Sequence, residues 1–258
     1  MPTAFVTGAS RGVGRGVAVA LADAGYTVFA TGRSIDRAGL PASIVPLRCD
    51  HLNDDDTAAA FARAAANGGS LDVLVNSAWG GYERMVENGA FTWSVPFWQQ
   101  PMHRWTSMID GGVRAAFVCA AHAARLMVPQ KRGLMVNISF WAAQKHVGNV
   151  LYGISKAATD KLTHDIAHEL RPHGVAALSL YPGLVRTESV LEAAKAGWLD
   201  LSNSESPEFV GRVIAALAAD ARVIEQTGHV VVAADAALRY GVADIDGRQP
   251  VPLTLAKV

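Results

Sequence analysis

The sequence has 258 residues, half of them apolar, and its 23 basic and 23 acidic side chains give a formal net charge of zero. This length and apolar content suit a single domain with a substantial hydrophobic core. The balanced charge, without a basic stripe or an acidic tail, argues against a nucleic-acid-binding protein and against a disordered chain.

The N-terminal residues and the two cysteines indicate the cellular compartment of the protein. No apolar run approaches the length of a membrane span, and the first predicted strand starts almost at the N-terminus, which leaves no room for a signal peptide. Cys49 and Cys119 lie far apart in sequence and suit a reducing compartment better than a disulfide scaffold. We therefore expect a cytoplasmic protein without membrane contact.

Apolar, β-branched runs alternate with amphipathic stretches along the chain. Because the runs show little polar alternation, both of their faces are expected to be covered. The pattern predicts one α/β domain over residues 1–258, a doubly wound and mainly parallel sheet of seven strands flanked by helices. The short link that contains Gly39 and Pro41 predicts only a vestigial crossover helix. The predicted strands are 3–7, 26–31, 44–48, 72–76, 134–139, 175–181 and 229–233, and the predicted helices are 12–24, 54–66, 104–128, 151–171 and 207–219.

A glycine-rich turn, Thr7-Gly8-Ala9-Ser10-Arg11-Gly12-Val13-Gly14, joins the first predicted strand to the first predicted helix. Gly8 permits the turn, Gly12 lets the backbone approach a pyrophosphate, and Gly14 allows close helix packing, with the helix N-terminus facing the anion. The spacing differs from G-x-G-x-x-G. The alternative is a tight strand-to-helix connection without a ligand.

The end of the second predicted strand bears on the choice of cofactor. An acidic residue there would bind the ribose hydroxyls of NAD, whereas Thr31-Gly32-Arg33-Ser34 offers an arginine and a hydroxyl suited to a 2′-phosphate. Arg11 in the glycine turn can supply a second positive charge. We expect NADP in preference to NAD; the alternative for both arginines is ordinary surface solvation.

A tyrosine and a lysine lie four residues apart in the predicted helix 151–171, so Tyr152 and Lys156 share one helix face. A neighbouring ammonium favours phenolate and is expected to lower the pKa of Tyr152 towards the range useful for proton transfer. Ser139, at the end of a preceding strand, can hydrogen-bond the same substrate oxygen. The alternative is a surface lysine beside a half-buried tyrosine.

These segments resemble the short-chain dehydrogenase/reductase family, which carries T-G-x-x-x-G-x-G, N-N-A-G, a serine, Y-x-x-x-K and a Pro-Gly turn in this order. A narrower likeness is to the dehydrogenase/reductase member 1 type. The family match covers nearly all of the chain and rests on Thr7 to Gly14, Asn76-Ser77-Ala78-Trp79, Ser139, Tyr152 with Lys156, and Pro182-Gly183-Leu184-Val185-Arg186-Thr187. The narrower likeness rests on Gly112-Val113-Arg114 and on residues 149–153, 167–175 and 244–248.

The resemblance implies a Rossmann-like domain and an NADP(H)-dependent carbonyl reductase or alcohol dehydrogenase with Ser139, Tyr152 and Lys156 as catalytic residues. It further implies that Asp50 contacts the adenine ring, and that Asn76 contacts the adjacent ribose. Val185 and Thr187 would meet the nicotinamide amide, and Lys156 the nicotinamide ribose. The full expected cofactor set is Gly8, Ser10, Arg11, Gly12, Val13, Gly14, Arg33, Asp50, Asn76, Ala78, Tyr152, Lys156, Pro182, Gly183, Val185 and Thr187.

Three departures from the family pattern stand out. The family has a catalytic asparagine five residues before a helix aromatic, where this chain has Gly112 before Phe117, so the proton relay must be arranged differently. Trp79 replaces the last glycine of N-N-A-G and puts a large ring near the cofactor. The usual Ile-Ser-Ser is Ile138-Ser139-Phe140 here, so the motif alone places the catalytic serine at Phe140, whereas the spacing to the tyrosine favours Ser139.

Residues 79–105 form an aromatic segment that is longer than the family usually allows. Its rings are expected to cover an apolar pocket for a small carbonyl or alcohol substrate. Residues 187–206 form the expected substrate loop. The alternative is that the rings form an extra packing layer or a subunit contact. The expected substrate residues are Trp79, Phe140, Trp141, His146 and Trp198.

Two further patterns resemble metal sites. His164 and His168 lie four residues apart, but without the glutamate of H-E-x-x-H, and Asp54-Asp55-Asp56 suits a helix N-terminus, so no metal is expected. We expect a homodimer or homotetramer formed through helices 104–128 and 151–171. The rival functions are a cofactor-binding sensor or scaffold with little turnover, and an epimerase or lyase that uses transient oxidation.

Overall fold

The computed structural model describes residues 1–66, 69–87 and 89–258, so the aromatic segment is described except at residue 88. The strands, in chain order, are β1 (Thr3–Val6), β2 (Thr27–Gly32), β3 (Ile44–Arg48), β4 (Val73–Asn76), β5 (Val86–Glu87), β6 (Ala90–Phe91), β7 (Gly133–Ile138), β8 (Val175–Tyr181), β9 (Leu184–Val185), β10 (Ser204–Glu205) and β11 (Val230–Val232). The α-helices are α1 (Gly12–Asp23), α2 (Asp54–Ala66), α3 (His103–Trp105), α4 (Ala115–Gln130), α5 (Val150–Leu170), α6 (Glu188–Lys195), α7 (Pro207–Ala219) and α8 (Ala233–Tyr240).

Seven strands form the central sheet in the order β11-β8-β7-β4-β1-β2-β3, and every neighbouring pair is parallel. This confirms the predicted doubly wound parallel sheet. The strand order reverses between β1 and β4, so the carboxyl ends of these two strands open into the crevice where such sheets bind ligands.

The sheet is buried on both faces, as its strand composition predicts. On one face, Val6 and its neighbours pack against α1 and α7 through residues such as Leu21 and Phe209. On the other face, Phe5 stacks on Phe61 of α2 with ring centroids 4.1 Å apart. Two apolar layers therefore hold the strand ends in fixed positions around the crevice.

The predicted helix 104–128 differs from the structure. The helical path begins with α3, continues as a π-helical segment over Thr106–Arg114, and becomes regular only in α4, which extends through Pro129 to Gln130. A π-helix inserts extra residues per turn, so it widens the helix and shifts the phase of the residues that follow. This wide segment lies beside the predicted catalytic helix, α5.

Short elements account for most of the other differences. The strands β5, β6, β9 and β10 have two residues each, and α6 has no buried residue, so neither periodicity nor apolar content signals them. The vestigial crossover after β2 is confirmed as a single 3₁₀ turn, Ile35–Arg37. No helix in the described part of the chain is both long and apolar enough to span a bilayer.

Candidate active site

The turn after β1 is held against the loop after β4 by one side chain. Thr7 Oγ1 accepts hydrogen bonds from the backbone N–H groups of Ser77 and Ala78, each at 3.0 Å. Gly8 has a φ of +66°, and a Cβ there would lie 2.7 Å from the Ala78 Cα. A side chain at residue 8 is therefore excluded by both conformation and space.

The N-terminus of α1 opens directly onto this turn. Gly12 has a φ of +56°, and a Cβ on Gly14 would lie 2.4 Å from the Gly8 carbonyl oxygen. The Gly12 N–H donates to the Glu188 carboxylate, 3.1 Å from Oε2 and 3.3 Å from Oε1. A carboxylate from the start of α6, in the predicted substrate loop, thus occupies the helix N-terminus, where the partial positive charge favours anions.

A second carboxylate joins the two arginines that the sequence predicts to bind phosphate. Arg11 Nη2 and Arg33 Nη2 donate to the same atom, Glu83 Oε1, at 2.9 Å and 2.7 Å. Both arginines are exposed, and Glu83 comes from the aromatic segment. Nearby, the Ser10 hydroxyl is buried without a hydrogen-bond partner among the described residues, and a Cβ on Gly32 would lie 2.2 Å from it. Two guanidinium groups thus share one carboxylate oxygen at the surface beside the glycine turn.

Two other predicted cofactor residues make local contacts. Asn76 is buried, and its Nδ2 donates to Asn137 Oδ1 at 2.8 Å and to the Ala116 carbonyl at 3.3 Å, which places its amide between β4, β7 and α4. Asp50 follows β3, and its Oδ1 accepts from the Leu52 N–H at 3.1 Å.

The Pro-Gly turn follows β8 and leads into β9. Val185 is buried, and Thr187 caps α6 by accepting from the Val190 N–H at 3.4 Å. Gly183 lies against Glu205, because a Cβ at residue 183 would be 2.9 Å from the Glu205 Oε2. Val13 and Pro182 lie in the same region, at the start of α1 and at the end of β8.

Two of the three predicted catalytic residues, Ser139 and Lys156, contact each other between β7 and α5. Lys156 Nζ donates to the Ile138 carbonyl at 3.1 Å, and Ser139 Oγ donates to the Lys156 carbonyl at 3.4 Å. Ser139 is buried, and its N–H donates to the Leu180 carbonyl at 2.9 Å. Tyr152 lies one turn before Lys156 on α5, where the helix places both residues on one face.

The start of α5 depends on Asn149, which is buried. Its Oδ1 accepts from the Tyr152 N–H at 3.0 Å and so caps the helix. Its Nδ2 donates to the Trp93 carbonyl at 2.8 Å. One side chain thus joins α5 to the aromatic segment.

Burial shifts the pKa values of Tyr152 and Lys156, the predicted catalytic pair, in opposite directions. The pKa of Tyr152 is raised well above its usual value by burial and then by the neighbouring Tyr82 hydroxyl. Burial lowers the pKa of Lys156 to about 8, although Asp160 opposes this shift. The pKa of Tyr152 therefore moves in the direction opposite to the prediction, because desolvation of the phenolate is the largest effect.

Four aromatic rings surround the Tyr152 ring. The centroids of Trp79 and Trp93 both lie 5.4 Å from it, and those of Phe140 and Tyr82 lie 6.2 Å and 6.3 Å from it. Only 5% of Tyr152 is exposed. The rings thus form a cover over the phenol.

The other predicted substrate residues lie apart from this cover. Trp141 packs edge-on against Tyr181 with centroids 5.1 Å apart. His146 is exposed, and Trp198 in the substrate loop is 76% exposed. The structure therefore brings Trp79 and Phe140 to the phenol, but not Trp141, His146 or Trp198.

Several residues of the site have no distinctive signal in the sequence. Glu83 and Glu188 contact the glycine turn only because the chain folds back on itself. Glu205 is buried beside Gly183, and burial raises its pKa to about 8, with a further increase from Asp244. Tyr82 and Trp93 belong to the predicted aromatic segment, but the sequence does not separate them from its exposed rings.

The two patterns that resemble metal sites have local partners. His164 lies 3.2 Å from Asp165, and Asp54 accepts from Arg114 at 2.7 Å. His168 is exposed on α5. In the described ranges, no three histidine, cysteine or carboxylate side chains are grouped as a metal site would require.

Comparisons with known proteins agree with this geometry. A family model described as short chain dehydrogenase matches residues 2–197, which include the glycine turn, Ser139, Tyr152 and Lys156. Dehydrogenase/reductase SDR family member 1 is 41% identical in Mus musculus and 39% identical in Homo sapiens, over 94% of this chain and 83% of each relative. A solved short-chain type dehydrogenase/reductase from Mycobacterium ulcerans is 30% identical, with a TM-score of 0.76 over 90% of this chain and 87% of that one.

Proposed function

This chain belongs to the short-chain dehydrogenase family, and from that premise we propose that it is an NADP(H)-dependent oxidoreductase that interconverts a small apolar carbonyl compound and its alcohol. The observation that carries the proposal is that Ser139 contacts Lys156 between β7 and α5, with Tyr152 one helical turn before Lys156. These groups lie at the carboxyl ends of parallel strands, the usual position for ligands in this kind of sheet.

Each residue has a role that its position supports. When bound, NADP(H) supplies or accepts the hydride. The Tyr152 hydroxyl donates a proton to the carbonyl oxygen, or accepts one from the alcohol in the reverse direction. Ser139 Oγ hydrogen-bonds the same oxygen, and the Lys156 ammonium stabilises the phenolate that proton donation leaves. Burial raises the pKa of Tyr152, so the phenol of the free protein is neutral, as a proton donor to a carbonyl oxygen must be.

The fit to NADP rests on the carboxylates that stand in for phosphates. Glu83 lies between Arg11 and Arg33, as a 2′-phosphate would, and Glu188 accepts from the Gly12 N–H, as a pyrophosphate oxygen would. The unpartnered Ser10 hydroxyl and the glycine turn add further donors and space. Asp50, Ala78, Pro182, Gly183, Val185 and Thr187 complete the proposed set by family resemblance.

The aromatic cover favours an apolar substrate. Trp79, Tyr82, Trp93 and Phe140 surround the phenol, so a substrate that reaches Tyr152 exchanges water for rings. This exchange is favourable for hydrocarbon surface and costly for polar groups. We therefore propose that small apolar aldehydes or ketones, or their alcohols, are the substrates.

The second candidate is a cofactor-binding sensor or scaffold. Two observations favour it: the phenol is covered, and Gly112 occupies the position where the family has its relay asparagine. The ordered Ser139, Tyr152 and Lys156 argue against it, because a protein without turnover does not need a buried proton donor.

A carbonyl screen that follows NADPH absorbance separates the two candidates. We expect turnover with at least one apolar aldehyde or ketone, and Tyr152→Phe should lower kcat by at least about a hundredfold while NADPH affinity changes little. Near-normal turnover in that variant excludes the phenol as the proton donor. NADPH binding without turnover across the screen favours the scaffold.

A further inference from the structure

We propose that Trp79 is a positioning residue for Lys156, and that Gly112 is a glycine because the Trp79 indole occupies the space of a side chain there. The inference concerns this chain's own residues, and its catalytic consequence rests on the proposed function. It is carried by the Trp79–Lys156 contact, the space around the indole and the shape of the helix beside it.

The first step is the contact between the charge and the ring. Lys156 Nζ lies 4.8 Å from the centroid of the Trp79 ring, within the range of a cation–π interaction. Lys156 is buried, so its ammonium has lost most of its water and needs other partners. The Ile138 carbonyl supplies one partner at 3.1 Å, and the indole face supplies another.

The second step is that two glycines leave room for the indole. A Cβ on Gly112 would lie 2.6 Å from Trp79 Cδ1, and a Cβ on Gly81 would lie 2.1 Å from Trp79 Cη2. Neither glycine has a positive φ, so space rather than backbone conformation explains both. Gly112 and Gly81 thereby contact opposite edges of the indole. The indole face that contacts Lys156 is therefore held in one orientation.

The third step is the shape of the neighbouring helix. Gly112 lies within the π-helical segment Thr106–Arg114, next to α5. An ordinary side chain at residue 112 would project into the volume that the indole fills. The wide helix turn, the glycine and the tryptophan therefore form one arrangement, in which an aromatic face takes the place of a side chain from residue 112 beside the lysine.

The consequence is that Trp79 positions Lys156, the proposed catalytic lysine, without taking part in the reaction itself. Trp79 contacts both members of the pair, since its ring also lies 5.4 Å from the Tyr152 ring. The Trp79 ring keeps the Lys156 ammonium at the Ile138 carbonyl. The same ring fills the space between Gly112 and Lys156. Trp79 acts through Lys156, and its loss should affect the chemical step more than substrate binding.

The first test compares two replacements of the ring. Trp79→Phe keeps an aromatic face, so kcat should stay within about threefold of the wild-type value, whereas Trp79→Leu should lose roughly ten- to thirtyfold in kcat with a smaller change in KM. Equal losses in both variants, or a loss confined to KM, would overturn the positioning role.

The second test measures the coupling between residues 79 and 112. Gly112→Ala should reduce kcat and stability in the wild-type background, but cause little further loss in a Trp79→Ala background, because the clash is gone. Gly111→Ala is the matched control in the same helical segment, since its nearest atom is the Thr106 carbonyl oxygen at 3.3 Å. Additive effects of Gly112→Ala and Trp79→Ala would contradict the shared space.

The third test needs neither cofactor nor turnover. Lys156→Met removes the cation and should change the near-ultraviolet circular dichroism and tryptophan fluorescence of the free protein, and this change should vanish in a Trp79→Phe background. The same spectral change in both backgrounds would overturn the contact. If no carbonyl compound is ever turned over, the proposed function fails, but this measurement still decides the role of Trp79.

Discussion

The pKa values of single residues show that burial at this site favours the uncharged forms of side chains. Tyr152 and Glu205 bind protons more tightly than in water, and Lys156 binds its proton less tightly, with burial the largest cause in each case. All three shifts favour the uncharged form, as expected where water is displaced. The exposed guanidinium groups of Arg11 and Arg33, which we propose to bind the 2′-phosphate, differ, because there Glu83 supplies the opposite charge.

The first residue-scale prediction concerns Glu83, which competes with a 2′-phosphate for two guanidinium groups. Glu83→Gln should tighten NADPH binding by roughly two- to tenfold at low salt and leave NADH binding unchanged, because exposed ion pairs are worth at most about 1 kcal/mol each. Titration of the free protein with each cofactor checks this.

Two further variants sharpen the test of the proposed phosphate site. Glu192→Gln is the control, since Glu192 pairs with Lys195 on α6 and leaves the arginines alone. Arg33→Asp should act in the opposite sense and turn the preference towards NADH, because it removes a phosphate partner and adds a repelling charge. A wild-type protein that prefers NADH would contradict this assignment of the arginines.

The second residue-scale prediction concerns Glu205, whose pKa is raised from 4.5 to about 8, chiefly by burial. The folded state then holds a proton that the unfolded state releases between these two values. Stability is fully present below about pH 4.5 and falls by about 1.4 kcal/mol per pH unit as the pH rises towards 8.

The measurement is the free energy of unfolding of wild type and Glu205→Gln by denaturant titration at several pH values. The difference between the two should change over this window in favour of the glutamine variant, since glutamine has no proton to release. A constant difference from pH 5 to pH 8 would mean that Glu205 is ionised in the folded protein.

At the scale of elements, the strands and long helices follow from local pattern, and the aromatic segment does not. Both bounds of α2 and of β8 are predicted correctly, because Asp54 begins an acidic first turn and residues 175–181 are apolar except for Ser179. The π-helical segment has no period that the sequence reveals. The strands β5 and β6 are too short to produce a pattern.

The prediction at this scale separates two tryptophans of the aromatic segment. Trp93 is buried against Tyr152, whereas Trp98 is 72% exposed and packs on Phe97. If the segment covers the substrate, kcat/KM should rise with apolar substrate size by about 0.8 kcal/mol for each methylene buried. Trp93→Ala should flatten this trend, and Trp98→Ala should leave it unchanged.

A homologous series of aldehydes with increasing chain length provides the measurement. NADPH affinity should be the same in both variants, because Trp93 packs on Tyr82 and Tyr152 and Trp98 packs on Phe97, all outside the proposed phosphate site. A flat series in the wild-type enzyme, or equal slopes in all three proteins, would assign Trp93 to core packing.

At the scale of the whole molecule, contacts between residues that are close in sequence can be predicted from the sequence. Contacts between residues that are far apart in sequence cannot. Ser139, Tyr152 and Lys156 are predicted from sequence because they belong to one strand and the next helix. The carboxylates are not, since Glu83 is 72 residues from Arg11 and Glu188 is 176 residues from Gly12. Such pairs arise only when the sheet brings distant loops to one edge, and no local pattern encodes them.

The last prediction concerns assembly. The helices α4 and α5 leave Phe117 and Ile154 exposed, by 56% and 44%, on the surfaces proposed to join subunits. Phe117→Arg should shift a homodimer or homotetramer towards smaller species, because it places charge in an apolar contact. Sedimentation velocity measures this, with Trp198→Arg as the exposed aromatic control outside these helices. An unchanged oligomer would place the interface elsewhere.

The amide of Asn149 has a consequence for the timing of events at the site. Its oxygen holds the first turn of α5, and its nitrogen holds the Trp93 carbonyl. Because different atoms make the two bonds, the second can break while the first persists. If Trp93 moves outward to admit the proposed substrate, the cap on α5 can therefore persist and leave the Tyr152 backbone in place. Opening of the proposed site and alignment of the phenol are then separate events.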